Sequence, residues 1–289
     1  MTKTTIGLLH PGEMGSAVGA AAQAAGARVV WASEGRSPAT RSRAVAAELE
    51  DVGTLASLVE QSDFIFSICP PDAAIEVARS VAAQRFAGVY IDANAVSPAT
   101  ARIIADAIEG AGGGFVDGGI IGPPSVKRGV ARLYLSGQEA ARVAALFDAS
   151  PLDVIAMDGP VGAASALKMA YAAWTKGSAA LLIAVRALAI AEGIEADLLA
   201  EWKRSIPELP ARSEAAVTNN ARKAWRFVGE MEEIADTFMG AGLPDGFPLA
   251  AREVYDRLEK YKDAPVPPSL AEVASAIRAA CAAFPIEGP

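Results

Sequence analysis

Apolar residues in the first half of the chain come in short unbroken runs, each followed by a stretch rich in alanine and other small residues. The runs are TTIGLL (residues 4–9), RVVWAS (28–33), FIFSIC (64–69), GVYIDA (88–93), GFVDGG (114–119), RLYLSG (132–137) and DVIAM (153–157). Short β-type runs alternating with helical stretches predict a mostly parallel sheet covered by helices on both faces. Their continuous apolar character fits strands buried on both sides. Helix starts are signalled by SPAT, at residues 37–40 and again at 97–100. In each copy the serine can cap free amides while the proline takes the first helical position.

After DGPVG (158–162) the texture changes, and the rest of the chain reads as helices. The first is expected over 162–192, apolar on nearly every side, as in a core or a subunit interface. A second long helix is expected over 211–239, where Phe227, Met231, Ile234 and Phe238 form one stripe. Shorter helices are expected near 249–262 and 269–282, joined by the proline-stiffened DAPVPPS. The pattern therefore predicts an α/β domain over residues 1–160 and an all-α domain over 161–289, the long helix included.

Composition narrows the partners. At 289 residues, 52% of them apolar, the chain can bury a substantial core. A net charge of −8 argues against nucleic acid or an anionic membrane surface as the main partner, though not against a small anionic ligand. The two cysteines, Cys69 and Cys281, form neither a disulfide framework nor a metal-site pattern, so a reducing cytoplasm is the default location. Cys69, after FIFSI, reads as a small buried hydrophobe rather than a nucleophile. MTKTTIG lacks the apolar stretch of a signal peptide. ALLIAVRALAIA is interrupted by Arg186 and falls short of the ~18–20 residues of a membrane span, so a soluble protein is expected.

Candidate chemistry begins at LLHPGEMGSAVG, residues 8–19, immediately after the first strand. A dinucleotide loop needs little side chain where its amides approach the pyrophosphate, and a helix N-terminus aimed at the charge. Gly12 supplies the approach, Glu13 and Met14 open the helix, and Gly15 and Gly19 let that helix lie close to the sheet. His10, beside Pro11, occupies the tight-turn position where the usual pattern has glycine, which is tolerable if the backbone there keeps an ordinary negative φ. As the only histidine, it reads as a side chain packed in a turn rather than a catalytic base. At the end of the second strand, Glu34 could bind a ribose diol, whereas Arg36, Ser37 and Thr40 suit a 2′-phosphate. The two readings compete, and NADP(H) is favoured over NAD(H).

Five segments in order resemble the β-hydroxyacid dehydrogenase superfamily, which includes phosphogluconate dehydrogenases and imine reductases. GLLHPGEMG resembles the family's strand and loop GFIGLGxMG. ICPPDAA, with Cys69 and Pro70, resembles the proline turn beside the cofactor. DANAVSP resembles DxSTxxP, with Asn94 at the serine position. VDGGIIGPPSVKRG resembles the substrate loop DAPVSGGxxGAxxG, and GPVGAASALK the segment that ends in the catalytic lysine, here Lys168. The resemblance implies a Rossmann-type N-terminal domain, a long interdomain helix and an all-helical C-terminal domain that often builds a dimer. RKAWRFVGEMEEIA looks like a smaller branch with a shorter helical domain.

The resemblance implies hydride transfer between nicotinamide and a hydroxyl or carbonyl carbon, with Lys168 as general acid/base. Burial beside a cofactor would lower its pKa toward neutrality; without the motif it would read as a lysine snorkelling to solvent. Its helix face also carries Ala164, Ser165, Ala172, Thr175 and Ala179. The family's asparagine is replaced by Ala172, so Tyr171, Thr175 or Asn94 would have to supply a hydrogen bond. In the substrate loop the family's serine becomes Ile121, while Gly122 keeps an amide that could hold an oxygen. Glu230 stands where a lysine often binds a substrate carboxylate; it also reads as an ordinary solvated glutamate. Ile121 and Glu230 together point to a larger, partly apolar or even cationic small-molecule substrate. An imine reductase and a non-catalytic NADP sensor are the alternatives.

Overall fold

The structure, a computed structural model, describes residues 3–125 and 127–279. It contains two compact units, Met1–Ala170 and Tyr171–Pro289, which divide inside the long helix rather than ahead of it.

The first unit is built on eight strands: β1 (Thr5–Leu9), β2 (Arg28–Trp31), β3 (Glu50–Asp51), β4 (Phe64–Ser67), β5 (Val89–Asp92), β6 (Gly114–Ile121), β7 (Arg132–Ser136) and β8 (Asp153–Ala156). They form one sheet in the order β3-β2-β1-β4-β5-β6-β7-β8. Every pairing is parallel except β6 with β7. Consecutive side chains enter opposite cores. Phe64, Phe66, Val89 and Ile91 pack on one face, whereas Ile65, Tyr90 and Phe115 pack on the other. Two covered faces are why the strands read as unbroken apolar runs. The helices between them are α1 (Glu13–Ala24), α2 (Pro38–Ala46), α3 (Leu55–Gln61), α4 (Ala74–Ala82), α5 (Pro98–Gly110) and α6 (Ala140–Ala145). Both SPAT segments cap as their sequence predicts: Ser37 Oγ accepts from the Thr40 amide at 3.2 Å and Ser97 Oγ from the Thr100 amide at 3.1 Å. The strand order reverses at β1, leaving a crevice at the C-terminal ends of β1 and β4, the switch point at which such sheets bind ligands.

α7 (Ala163–Ala191) is the expected long helix. It is long and apolar enough to cross a membrane by length and composition alone. Its cations argue for a packed helix instead: the Arg186 guanidinium is buried, donating to Ser213 Oγ and Glu195 Oε1, each at 2.6 Å. Not all of it is covered, since Trp174, Leu181 and Leu188, seven residues apart, are each more than half exposed.

The second unit continues with α8 (Glu195–Ser205), α9 (Leu209–Asn220), α10 (Ala224–Gly240), α11 (Gly246–Asp256) and α12 (Leu270–Ala279). The single helix expected over 211–239 is two, separated by a 3-10 turn at Ala221–Lys223. Asn220 Nδ2 bonds back to the Ala216 carbonyl at 2.7 Å, a local competition with helix hydrogen bonding. The Phe227 stripe survives in α10, with Met231 and Ile234 fully buried. The helix expected over 269–282 is described as far as Ala279, and Cys281 lies outside the described residues.

Candidate cofactor and proton-transfer site

The loop after β1 turns more sharply than its sequence suggests. His10 has φ +63°, in the left-handed region, not the ordinary negative φ expected of a histidine there. The Gly12 amide bonds the His10 carbonyl at 2.7 Å, closing a tight turn around Pro11, and α1 starts directly afterwards. A Cβ on Gly15 would lie 2.6 Å from the His10 carbonyl oxygen, and one on Gly19 would press on Leu8 and Leu49. These glycines bring α1 onto the sheet. A Cβ on Gly12 would meet only the His10 oxygen, at 4.0 Å, so space is open in front of it. No side chain caps α1, which leaves its first amides suited to an anion. Pro11 is buried, Glu13 exposed, and Met14 packs against the core.

Behind the loop lies a cavity of about 140 Å³ lined by His10, Glu34, Arg36, Leu55, Val77 and Ser80, among others. Burial, and then the nearby Arg36 charge, hold the His10 imidazole down to about 4, so it is neutral near pH 7. His10 Nδ1 and Arg36 Nε are both buried without a hydrogen-bond partner. Glu34 is exposed. The Ser37 and Thr40 hydroxyls lie 3.1 Å apart within the α2 cap, so they are already engaged. Arg41 donates to the Ser33 carbonyl at 2.7 Å and pins this loop.

At the ends of β4 and β5 a buried polar cluster fixes the proline turn. Asn94, 3% exposed, accepts from the Cys69 amide at 2.6 Å and donates to Ser67 Oγ at 3.2 Å and to the Asp92 carboxylate. Both amide hydrogens are thus used within the protein, and Asn94 shapes the turn rather than offering them outward. Burial pushes the Cys69 thiol up to about 12, which keeps it protonated and unreactive. Pro70 is exposed on that turn.

β6 carries the residues that place Lys168. A Cβ on Gly119 would come within 2.7 Å of the Ala164 carbonyl oxygen and 2.9 Å of Lys168 Cβ, so the first turns of α7 lie directly on the strand backbone. Lys168 is half-buried there. Asp117, one turn of the pleat earlier, is fully buried and accepts four hydrogen bonds. The donors are Ser136 Oγ and the Gly162 amide, each at 2.9 Å, the Ser165 amide at 3.0 Å and Ser165 Oγ at 2.6 Å. A strand carboxylate thereby caps the helix that bears Lys168. Sequence reading missed Asp117, although an acid inside the apolar run GFVDGGII was the available signal. Ile121 is buried at the end of β6, and Gly122 has φ +112° with no room for a side chain beneath the Val130 carbonyl.

In the second unit, Tyr171 is exposed and Ala172 fully buried. The Thr175 hydroxyl is folded onto its own helix, donating to the Tyr171 carbonyl at 3.1 Å. Glu230 is not a solvated glutamate: it is 7% exposed and ion-paired with Lys176. The Lys176 ammonium also lies 5.0 Å from the centre of the Phe227 ring, and Tyr255 donates its hydroxyl to the Lys176 carbonyl at 2.7 Å. The border position of Glu230 on the α10 stripe turns its carboxylate toward α7 instead of toward water. Among the described residues, no group of three or more His, Cys, Asp or Glu side chains could hold a metal ion.

Residues 5–150 match the NAD binding domain of 6-phosphogluconate dehydrogenase, and residues 189–258 match a domain of unknown function, DUF1932. An uncharacterized 28.5 kDa protein of Methanothermus fervidus is 34% identical over 167 residues, 57% of this chain and 63% of that protein's length. A solved conserved protein of unknown function, described as structurally similar to 3-hydroxyacid dehydrogenases, is 28% identical with a TM-score of 0.66, covering 89% of this chain and 97% of that one. The 3-hydroxyisobutyrate dehydrogenase of Mycobacterium tuberculosis shares the fold at 19% identity and a TM-score of 0.70, over 96% of this chain and all of that one.

Proposed function

Because the chain belongs to the family of the NAD-binding domain of 6-phosphogluconate dehydrogenase, and is thus an NAD(P)-dependent oxidoreductase, we propose that it uses NADP(H) to interconvert a hydroxyl and a carbonyl, with Lys168 as general acid/base. The observation that carries the reading is the seating of Lys168 on Gly119, at the C-terminal end of β6. The residues fit a dinucleotide: an uncapped α1, open space at Gly12, and an unpartnered Nε on Arg36, which lines the cavity behind the loop. Arg36 favours a 2′-phosphate; Glu34 lines the same cavity but is exposed, so solvent and salt screen its charge. When bound, nicotinamide supplies the two-electron chemistry, accepting a hydride from the carbinol carbon or returning it to the carbonyl.

Lys168 takes the hydroxyl proton as a neutral amine in the oxidative direction and returns it as an ammonium in reduction. Asp117 and Gly119 set where its helix begins and how closely it approaches the strand. Ile121, buried at the end of β6, offers no hydroxyl to a substrate oxygen. A cationic substrate has lost its support, because Glu230 is already neutralised by Lys176. We place the enzyme in the cytoplasm as a homodimer, with the exposed Trp174, Leu181 and Leu188 stripe of α7 at the subunit contact. The test is Lys168→Ala, assayed with hydroxy acids, carbonyls and imines and titrated with NADPH. Lost turnover with retained NADPH affinity is expected; unchanged turnover refutes the assignment.

A further inference from the structure

Two unfavourable features coincide at His10. Its backbone sits at φ +63°, where a side chain is strained and glycine is not. Its Nδ1 is shut away from water with no partner. An outlier of this kind at a ligand cleft points to a role in that cleft. A second orphan, Arg36 Nε, belongs to the same cavity, whose other walls include the apolar Leu8, Leu55 and Val77 and the hydroxyl-bearing Ser80. An apolar floor with an unpartnered guanidinium Nε and an unpartnered imidazole Nδ1 on its wall suits a flat base carrying an anionic oxygen nearby.

Resting on the NADP(H) reading above, we propose that His10 is a cofactor-selecting residue, its imidazole joining Arg36 in hydrogen-bonding the 2′-phosphate of the adenosine half. A glycine at this position has no side chain to offer, so the histidine adds a contact the loop backbone cannot make. The neutral ring donates one N–H beside the guanidinium without adding a second positive charge to the cavity. The strained turn and the unpaired nitrogen are then the free-state cost of a contact made only with ligand.

The test isolates the adenosine half by titrating 2′,5′-ADP and 5′-AMP into wild type, His10→Gly and His10→Asn. NADPH and NADH are titrated in parallel, and each variant is melted. His10→Gly is expected to melt higher than wild type, since its turn is relaxed, yet to bind 2′,5′-ADP about tenfold more weakly with 5′-AMP little changed. His10→Asn, which tolerates the left-handed turn and keeps a polar group, is expected to recover most of the loss. Discrimination that survives His10→Gly overturns this inference alone. A wild type that binds NADH but does not prefer 2′,5′-ADP overturns the NADP reading together with it.

Discussion

Asp117→Ala tests how the site is held. The substitution removes the shared acceptor of four donors at the start of α7. The Ser136 and Ser165 hydroxyls can turn to other acceptors, but the Gly162 and Ser165 amides are fixed in direction. Each buried amide left without an acceptor costs about 1–3 kcal/mol. Removing a buried carboxylate also relieves its desolvation, which offsets part of the loss. The net destabilisation comes to about 3 kcal/mol, and for a unit of this size each kcal/mol moves the midpoint by about 2–4 °C. The melting temperature should therefore fall by about 6–12 °C. Asp117→Asn, which keeps one acceptor oxygen, should lose roughly half as much. Thermal melts and urea titrations measure this, and steady-state assays add a readout that instability alone does not move. Below the melting transition, kcat should fall while NADPH affinity holds, because α7 shifts and the α1 loop does not. An Asp117→Ala protein melting within about 2 °C of wild type would sink the capping argument. A destabilised variant with full kcat would leave Asp117 a structural residue without influence on Lys168.

Two further predictions rest on other parts of the molecule. The folded His10 sits at about 4 against an ordinary 6.5, so between those values the unfolded chain binds a proton that the folded one does not, and stability is lost as pH falls. Going from about pH 7.5 to about pH 5.5 should cost about 1.4 kcal/mol through this group, seen as a pH-dependent difference in urea midpoints between wild type and His10→Gly; an equal response in both refutes it. Leu181→Lys places a charge in the exposed stripe of α7 and should convert a dimer to a monomer by light scattering, with little change in melting of the first unit. A variant that remains dimeric moves the interface elsewhere.

What could be read in the sequence follows from where each signal lives. Seven of the strands announce themselves as apolar runs, and in β1, β2, β4 and β5 the reason is burial on both faces of nearly every position. β3 is two acids, Glu50 and Asp51, held to β2 by the backbone ladder and by the Arg28–Glu50 ion pair, and carries no apolar pattern to find. α8 escaped notice for a related reason: none of its residues is buried, and its composition is polar. The break between α9 and α10 was hidden by the opposite error, in which a stripe of apolar residues was extended across Asn220 into a stretch it does not reach.

The site residues divide along the same line. Gly12, Gly15 and Gly19 act within a single turn and helix, and their roles were legible from spacing. His10 was recognised as a departure, but its left-handed backbone was not, because the loop's geometry outweighs the preference of the residue occupying it. Asp117 and Glu230 lie beyond any local reading. Their partners, Ser165 and Lys176, are 48 and 54 positions away in the chain, and only the packing of α7 against β6 in one unit and against α10 in the other brings them into reach. α7 is therefore the element on which the functional reading turns. Its first turns are fixed by a strand carboxylate and a missing Cβ, and its middle by an ion pair across to α10. Lys168 lies in the first of those segments, so changes at Asp117 or Gly119 should reach the chemistry, while breaking the Lys176–Glu230 pair should act first on the stability of the helical unit.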